Sequence, residues 1–336
     1  RWKPAMVYFK DLFVRSIPVR AEKLKVWEPS FLDDLLRTVS VEDELREELE
    51  GIIEEIGPED TNLSHQELLR LSLIGQMKYE LGATQSFNKA CTGILAAMTD
   101  GTMVHGRNMD LNPKSVGFGK GAGVMEAVFT RHGRIVFKGP TFFGAVGIST
   151  GVVPGAFSVE QNSRSAEPTR SSWNDDLLLA AREGGRPQGY VLRRLLQDGV
   201  SYDDAVGQLS ASKWLAPGYF VVAGAGAFQG AVVTVGRVGE VDGGGPLDVQ
   251  AIDPARGVWF LVQTNDDNWE PPKDIRRPVA KSGLAHRGRK RVALGVHGSV
   301  WKAIRQFPVC NPSTWFSWIV LPSSGASRLT GKDCGL

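Results

Sequence analysis

Cysteine and histidine are scarce in this sequence. Its 336 residues include three cysteines, too few for a disulfide-stapled scaffold, and no Cys-x-x-Cys pair. The five histidines lie far apart and include no His-x-x-x-His pair, so the ligand spacing of a zinc site is absent. Glycine-rich stretches at 223–226 and 243–245 lack the strand-to-helix context of nucleotide-binding loops. We therefore predict no metal site and no cofactor, whereas one bridge between Cys310 and Cys334 stays open.

Strong charge of one sign and long apolar runs are also missing. With 39 basic and 37 acidic residues, the formal net charge is +2, which provides no overall field to attract nucleic acid. The longest apolar runs, such as 318–321, fall far short of the roughly 20 residues of a membrane-spanning helix. We expect no nucleic-acid partner, and we interpret the short basic cluster at 287–291 as a solvated loop.

The chain divides into a helix-rich start and a strand-rich remainder. Apolar residues at helical spacing predict one helix over 40–56 and another from Ser64 toward Gly82, opened by a capping box of Ser64 and Glu67. After Gly82, short runs rich in Val, Ile, Phe and Thr predict strands, with a block of helices between them. This order is typical of a layered α+β protein with a helical prefix. The predicted strands are 91–97, 102–106, 123–130, 134–138, 143–150, 218–224, 228–236, 246–252 and 257–264, and the predicted helices between them are 173–182, 188–198 and 202–210.

The segment from Cys91 to Asp110 combines a strand pair with reactive side chains. Two apolar runs flank the turn dipeptide Asp100-Gly101, and Arg107 and Asp110 close the second run. Because the ends of a hairpin meet, we predict a thiol beside a guanidinium and a carboxylate, the arrangement that an activated sulfur nucleophile requires. A structural interpretation exists as well: a cysteine in an apolar strand often packs as a small hydrophobic residue, and Arg107 can form an ion pair with Asp110.

The same segment resembles a known family. Residues 91–96, Cys-Thr-Gly-Ile-Leu-Ala, and residues 105–110, His-Gly-Arg-Asn-Met-Asp, are similar to the start of the mature large subunit in one family of N-terminal nucleophile hydrolases. This is the acid ceramidase and N-acylethanolamine-hydrolysing acid amidase family, related to the choloylglycine hydrolases. The resemblance covers most of 91–280 in the family's order. Further matching stretches are 146–157, 216–224 and, most strongly, 253–277 with its Gln-Thr-Asn-Asp-Asp-Asn-Trp and Asp-Ile-Arg-Arg motifs.

The resemblance implies a four-layer αββα fold behind a helical N-terminal segment. It implies that the chain cleaves itself between Ala90 and Cys91 into a helical small subunit, 1–90, and a catalytic large subunit, 91–336, which stay associated. It also implies hydrolysis of the amide bond of a fatty-acyl lipid, an N-acylethanolamine or a ceramide, through a thioester at Cys91. A transient contact with a membrane or lipid micelle is an implied partner. The implied location is the lysosome or the secretory pathway, with any signal peptide outside this chain.

A chemical role follows for each residue of the implied site. After cleavage, the α-amine of Cys91 would accept the proton of its own thiol, because an α-amino group has a pKa of about 7.7 to 8.0. Arg107 is expected to lower the pKa of the thiol, and Asp110 to accept hydrogen bonds from the α-ammonium group. Asn265 is expected to donate to the oxyanion, with Arg276 supporting the site. Asn265 also fits an ordinary turn.

One position departs from the family pattern. Where the family has Asn/Asp-Glu-Arg, this chain has Asn162-Ser163-Arg164, so a hydroxyl replaces a carboxylate that the family places near the active centre. The alternative function is therefore a catalytically impaired relative that binds lipid or acts as a scaffold. The apolar residues of 142–157 either line a trough for an acyl chain or pack in the core.

Overall fold

Strands and helices follow one another in blocks along the chain. The computed structural model describes residues 10–12, 14–15, 17, 28–56, 61, 63–77, 91–111, 123–164, 172–238, 245–331 and 334. Its strands are β1 Cys91–Ala97, β2 Met103–Asp110, β3 Val124–Arg131, β4 Arg134–Phe142, β5 Thr150–Val153, β6 Phe157–Ser163, β7 Gly218–Gly224, β8 Gly230–Val235, β9 Pro246–Ala251, β10 Phe260–Gln263, β11 Thr314–Val320 and β12 Ser327–Thr330. Its α-helices are α1 Pro29–Thr38, α2 Asp43–Ile56, α3 His65–Gln76, α4 Trp173–Arg182, α5 Gln188–Asp198, α6 Tyr202–Ala211, α7 Arg276–Arg287 and α8 Ser299–Arg305.

Two antiparallel sheets lie face to face at the centre. Within the described ranges, one sheet has the strand order β10-β1-β2-β11-β12 and the other has the order β3-β4-β5-β6-β7-β8-β9. Successive side chains of a strand point to opposite faces, so Leu95 and Met103 pack between the sheets against Val221 and Val232. Because a second sheet covers the inner faces and helices cover the outer faces, β1, β2, β7 and β8 are buried along their whole length.

Helices cover both outer faces. Ile94 and Val104 point away from the second sheet and pack against α7 and α8 through residues such as Leu284 and Ile304. On the other side, α5 and α6 cover the seven-stranded sheet. Burial of both faces of the central strands β1, β2, β7 and β8 removes their apolar surface from water, which is the main favourable contribution to folding. The four-layer αββα architecture predicted from the sequence is confirmed.

The predicted N-terminal helices are also present. In α2, Leu45, Leu49 and Ile53 are buried at helical spacing, as the pattern predicted. The capping box that opens α3 is confirmed, since the Ser64 hydroxyl accepts from the Glu67 N–H and the Glu67 carboxylate accepts from the Ser64 N–H. Gly82, the predicted end of this helical stretch, and Ala90 lie outside the described residues. No helix in the part of the chain that the structure describes is long and apolar enough to cross a bilayer.

Some of the predicted elements were wrong. The strand predicted at 143–150 is instead a turn region that leads into β5. The elements α1, β6, α7, α8 and β12 were not predicted. In α7 the buried apolar residues are only Ala280 and Leu284, too few to give a helical stripe in the sequence. In β6, Ser158, Glu160 and Asn162 face the other sheet, whereas Phe157 and Val159 pack against the helices. The face that lies between the two sheets is therefore polar in this strand.

The basic cluster at 287–291 is only partly solvated, since Lys290 and Arg291 are exposed whereas Arg287 and Arg289 are half-buried. Arg287 ends α7, and Arg289 opens a short 3₁₀ helix. The Arg289 guanidinium donates to the Met98 carbonyl at 2.7 Å and lies over the Phe228 ring, 5.0 Å from its centroid. This arginine therefore fastens the β1–β2 turn to the rest of the protein.

The apolar residues of 142–157 belong to the core. Val146 packs with the N-terminal helices, Ile148 and Phe157 pack beneath α5, and Val152 packs near Cys91. These side chains are 0 to 2% exposed, so they do not line a trough on the surface. The core interpretation of this stretch is confirmed for these four residues.

Cys310 and Cys334 form a disulfide, with their Cα atoms 5.6 Å apart. The bridge closes a loop of sequence separation 24, which in the chain-entropy account is worth about 3.5 kcal/mol. We predict that the double variant Cys310→Ser/Cys334→Ser loses roughly this free energy of unfolding in urea titrations. Reduction of the wild-type bridge should reproduce the loss, and equal stability of the two chains would contradict the prediction.

Candidate active site

The β1–β2 hairpin sets the geometry of the site. Its strands pair from Cys91 opposite Met109 to Ala97 opposite Met103. Gly101 closes the turn with a φ of +92°, a conformation that glycine adopts without strain. Because β2 continues past the predicted end at 106 to Asp110, the two ends of the hairpin meet as predicted.

The thiol of Cys91 lies between a cation and a thioether. Arg107 Nη2 is 3.4 Å from Cys91 Sγ, and Met109 Sδ is 3.9 Å from it. Burial raises the pKa of Cys91, and the positive charge of Arg107 opposes that rise. Arg107 thus acts to lower the pKa of the thiol, as predicted. In the continuous chain, however, burial raises this pKa by more than Arg107 lowers it.

Asn265 and Arg276 hold the backbone of Cys91. Since Gly93 of β1 pairs with Gln263 of β10, Asn265 lies level with Cys91 beyond the end of β10. Its Oδ1 accepts from the Cys91 N–H at 3.1 Å, and Arg276 Nη1 donates to the Cys91 carbonyl at 3.2 Å. Arg276 Nη2 also donates to Asn265 Oδ1 at 3.0 Å. The structure thus brings a distant loop and the start of α7 to both sides of this residue.

Asp110 is held by three side chains in the continuous chain. Its carboxylate accepts from Arg276 Nη1 at 2.6 Å, from the Thr314 hydroxyl at 2.6 Å and from Asn311 Nδ2 at 3.2 Å. Burial raises the pKa of Asp110, and Arg276, Thr314 and Asn311 oppose that rise. Cys91 N is a peptide nitrogen here and donates to Asn265, so the predicted contact of Asp110 with a free α-amine stays a prediction.

The side-chain amide of Asn265 has a second contact. Its Nδ2 donates to the backbone carbonyl of Ser163 at 2.7 Å. Ser163, the residue that departs from the family pattern, therefore contacts the site through its backbone carbonyl. An amide nitrogen carries two N–H groups, and donation to an oxyanion by Asn265 stays a prediction.

Three residues of β6 complete the surroundings of Arg107. Two of them, Glu160 and Gln161, were not among the residues predicted from the sequence. Arg107 Nη1 donates to the Gln161 carbonyl at 2.9 Å and to Asn162 Oδ1 at 3.1 Å. Glu160 Oε2 lies 3.3 Å from Arg107 Nη1. The usable signal was the alternation of Ser158, Glu160 and Asn162 along one face of a strand, but the strand itself was not predicted.

A second network fixes the loop that carries Asn265. Arg164 donates twice to the Asp267 carboxylate, at 2.7 and 2.9 Å, and the Tyr219 hydroxyl donates to it at 2.7 Å. Burial and the Asp267 carboxylate raise the pKa of Tyr219. Arg277 donates to the carbonyls of Asp266 and Asp267. The loop is thus anchored from both sides, which keeps Asn265 level with Cys91.

This arrangement suits nucleophilic chemistry at sulfur. A cysteine is activated when nearby cations stabilise its thiolate, and Arg107 and Arg276 both act on Cys91 in this direction. Across the ranges that the structure describes, no group of three or more His, Cys, Asp or Glu side chains is placed to hold a metal ion. Nucleophilic attack by Cys91, with Arg107 and Arg276 stabilising its negative charge, stays a prediction from the sequence.

The buried thiol predicts a pH dependence of stability. Because the pKa of Cys91 is raised in the folded chain, the unfolded chain, with a thiol pKa of about 8.5, loses its proton first as the pH rises. The free energy of unfolding should therefore fall as the pH rises above about 8.5, the thiol pKa of the unfolded chain. The total fall is about 1.4 kcal/mol for each pH unit by which the pKa of the folded chain exceeds that of the unfolded chain. Urea titrations of the uncut wild type, purified without incubation at acidic pH, and of Cys91→Ala, at neutral pH and at about pH 10, check this. Parallel pH profiles of the two chains would contradict it.

Known amidases and ceramidases are similar to this chain in sequence. No protein-family model matches it. The N-acylethanolamine-hydrolyzing acid amidase of Rattus norvegicus is 29% identical over 328 residues, which cover 95% of this chain and 82% of the relative. The Oryctolagus cuniculus enzyme of that name is 30% identical over 266 residues, 79% of this chain and 69% of the relative. Acid ceramidase of Mus musculus is 30% identical over 286 residues, 76% of this chain and 66% of the relative.

A solved structure agrees with the sequence comparison. The Caenorhabditis elegans N-acylethanolamine-hydrolyzing acid amidase ortholog is similar to this chain with a TM-score of 0.61 and 27% sequence identity, and covers 71% of this chain and 100% of its own. The sheet order, the buried thiol at the start of β1 and the relatives at about 30% identity lead to one conclusion. The chain belongs to the N-acylethanolamine-hydrolysing acid amidase and acid ceramidase family of amidohydrolases, and it has their N-terminal nucleophile hydrolase fold.

Proposed function

We propose that this protein hydrolyses the amide bond of a fatty-acyl lipid, either an N-acylethanolamine or a ceramide, with Cys91 as the nucleophile. The observation that carries the proposal is the setting of Cys91 at the first position of β1. Its thiol lies 3.4 Å from Arg107 Nη2, and its backbone N–H and carbonyl contact Asn265 and Arg276. The names of the relatives, amidases of N-acylethanolamines and acid ceramidases, support the substrate class.

The nucleophile is created by cleavage of the bond between Ala90 and Cys91, in which one water is consumed. Ala90 lies outside the described residues, so this step rests on the position of Cys91 and on the family. Cleavage gives Cys91 a free α-amine, whose pKa of about 7.7 to 8.0 lets it accept the thiol proton. No histidine is needed as a base.

Hydrolysis then proceeds in two acyl-transfer steps. The sulfur attacks the amide carbonyl carbon, the C–N bond breaks, and the amine leaves with a proton from the α-ammonium group. Water next attacks the thioester and releases the fatty acid, which regenerates the thiol. Arg107 stabilises negative charge on sulfur, and Asn265 donates to the oxyanion, a contact typically worth about 2.7 to 4 kcal/mol. Arg276 holds Asn265 and Asp110, and Asp110 orients the α-ammonium group.

The helices before Cys91 form the small subunit, residues 1–90, and stay bound to the large subunit, residues 91–336. Contacts across this boundary support the proposal. Arg193 donates to the Glu48 carboxylate at 2.7 Å, and Val146 and Tyr190 pack in the apolar cluster formed by α2 and α3. Surface burial of this kind does not depend on the peptide bond before Cys91.

The proposed location is the lysosome or another compartment of the secretory pathway. The Cys310–Cys334 disulfide supports it, because such bridges persist where the surroundings are oxidising. The acid amidases and acid ceramidases among the relatives support it as well.

Hydrolysis of palmitoylethanolamide, a ceramide and a conjugated bile salt by the purified protein tests the proposed function. We expect release of fatty acid from palmitoylethanolamide or the ceramide, no turnover of the bile salt, and no turnover of any substrate by Cys91→Ser. Lipid binding without hydrolysis by folded, cleaved wild type would overturn the proposal in favour of a lipid-binding relative impaired at Ser163.

A further inference from the structure

Glu160 is a buried carboxylate that the catalytic scheme above does not use. It lies on β6 and is 0% exposed. Its Oε2 is 3.3 Å from Arg107 Nη1 and 3.7 Å from His105 Nε2. Among the residues that the structure describes, neither Glu160 oxygen accepts a hydrogen bond. An ionised group buried in this way is costly unless a nearby charge compensates it, and Arg107 is placed to do so.

The facing strand leaves room for this carboxylate. Gly93 of β1 pairs directly with Arg107 of β2. A Cβ atom on Gly93 would lie 1.9 Å from Glu160 Oε1, so any larger residue would push the carboxylate away. The glycine therefore allows Glu160 to reach Arg107.

Arg107 has other partners on β6 besides Glu160. Two other contacts from β6, with the Gln161 carbonyl at 2.9 Å and with Asn162 Oδ1 at 3.1 Å, hold the guanidinium. What Glu160 adds is a negative charge on one side of a cation whose other side contacts the sulfur of Cys91 at 3.4 Å.

We propose that Glu160 is a positioning residue that acts on Cys91 through Arg107, by compensating the charge of the guanidinium beside the sulfur. The role of Glu160 in catalysis rests on the proposed function. Because Glu160 compensates part of the positive charge of Arg107, Arg107 stabilises the thiolate of Cys91 less, and the thiol keeps its proton until a base accepts it. The thiol therefore enters the reaction protonated, and its deprotonation is coupled to the α-amine.

The electrostatic effects on Cys91 agree in direction with this inference. Burial raises the pKa of Cys91 most, Arg107 lowers it, and the negative charges of Asp110 and Glu160 raise it. Arg276 lowers it from the side of α7. The charged groups that act on the thiol thus come from β2, β6 and α7. His105 of β2 faces Glu160 with its Nε2 atom. Its Nδ1 atom forms a hydrogen bond with the Ser158 hydroxyl at 2.8 Å.

Titration of Cys91 by NMR tests the inference without requiring turnover. The uncut chain, purified without incubation at acidic pH, is labelled with ¹³C at cysteine Cβ. Because Cys310 and Cys334 are bridged, the titrating signal belongs to the Cys91 thiol. In Glu160→Gln the midpoint should fall by about one pH unit, the size of effect that a nearby charge has. Glu160→Thr should give the same direction of shift, so the test does not depend on one variant folding. Glu160→Asp should stay near the wild-type midpoint.

A double-mutant cycle and a matched control complete the experiment. Arg107→Met should raise the midpoint, and Glu160→Gln should have less effect in that background. Asp176→Asn removes another buried carboxylate, 3.1 Å from Arg237, and should leave the midpoint unchanged. An unchanged or raised midpoint in folded Glu160→Gln and Glu160→Thr would overturn the inference. If the midpoint shifts but no variant, including the wild type, hydrolyses lipid amides, the inference stands and the proposed function fails.

Discussion

Replacement of Cys91 with alanine is expected to abolish amide hydrolysis and to leave the chain uncut before residue 91. The variant loses the sulfur that lies 3.4 Å from Arg107 Nη2 and keeps every backbone contact of the site. Loss of a nucleophile typically lowers kcat by a factor on the order of 10⁴ or more. Fatty-acid release measured by mass spectrometry gives the turnover, and a denaturing gel gives the processing state.

Thr92→Val is the matched control for this variant. Thr92 is buried beside Cys91 and points to the opposite face of β1, so the nearly isosteric substitution should keep both cleavage and turnover. Thermal unfolding should show that Cys91→Ala is folded. Turnover by folded Cys91→Ala within tenfold of the wild type would remove Cys91 from the mechanism.

Replacement of Arg276 with methionine is expected to cost both stability and activity. The guanidinium compensates two carboxylates, those of Asp110 and Asp274, and contacts the carbonyl of Cys91 and the amide of Asn265. Removal of one partner of a buried ion pair typically costs about 3 to 5 kcal/mol. Because Asn265 loses a fixed contact, kcat should fall by a factor on the order of 10² or more. Urea titrations and the turnover assay measure the two effects.

Two variants separate the charge of Arg276 from its shape. Arg276→Lys keeps the charge but not the planar fork, so it should recover part of the stability and little of the activity. Arg194→Met removes an arginine whose ion pairs are exposed, and it should change the free energy of unfolding by less than about 1 kcal/mol. An Arg276→Met variant as stable as Arg194→Met would contradict a structural role for this network.

Local patterns predicted the hairpin and much of the fold. The Asp100-Gly101 turn sets the register of β1 and β2, so the proximity of Cys91 and Arg107 followed from a short stretch of sequence. The bounds of β1 and α5 also agreed with the apolar patterns. Such features depend on contacts between residues near one another in the chain, which periodicity and turn chemistry report directly.

The remaining parts of the site depend on contacts between distant segments. Thr314 contacts Asp110 because β11 pairs with β2. The local sequence of neither strand predicts which strand it pairs with. Family resemblance, rather than spacing, placed Asn265 beside Cys91. Glu160 was missed because a polar side chain that faces the other sheet reverses the alternation by which strands are found.

The intact masses and N-terminal sequences of the purified protein after incubation at acidic pH show whether Cys91 becomes a nucleophile by cleavage of the bond before it. We expect two associated fragments, residues 1–90 and residues 91–336, with Cys91 as the new N-terminal residue, and amidase activity that appears with them. A chain that stays uncut, or that hydrolyses lipid amides fully while Cys91 remains in a peptide bond on both sides, would contradict it.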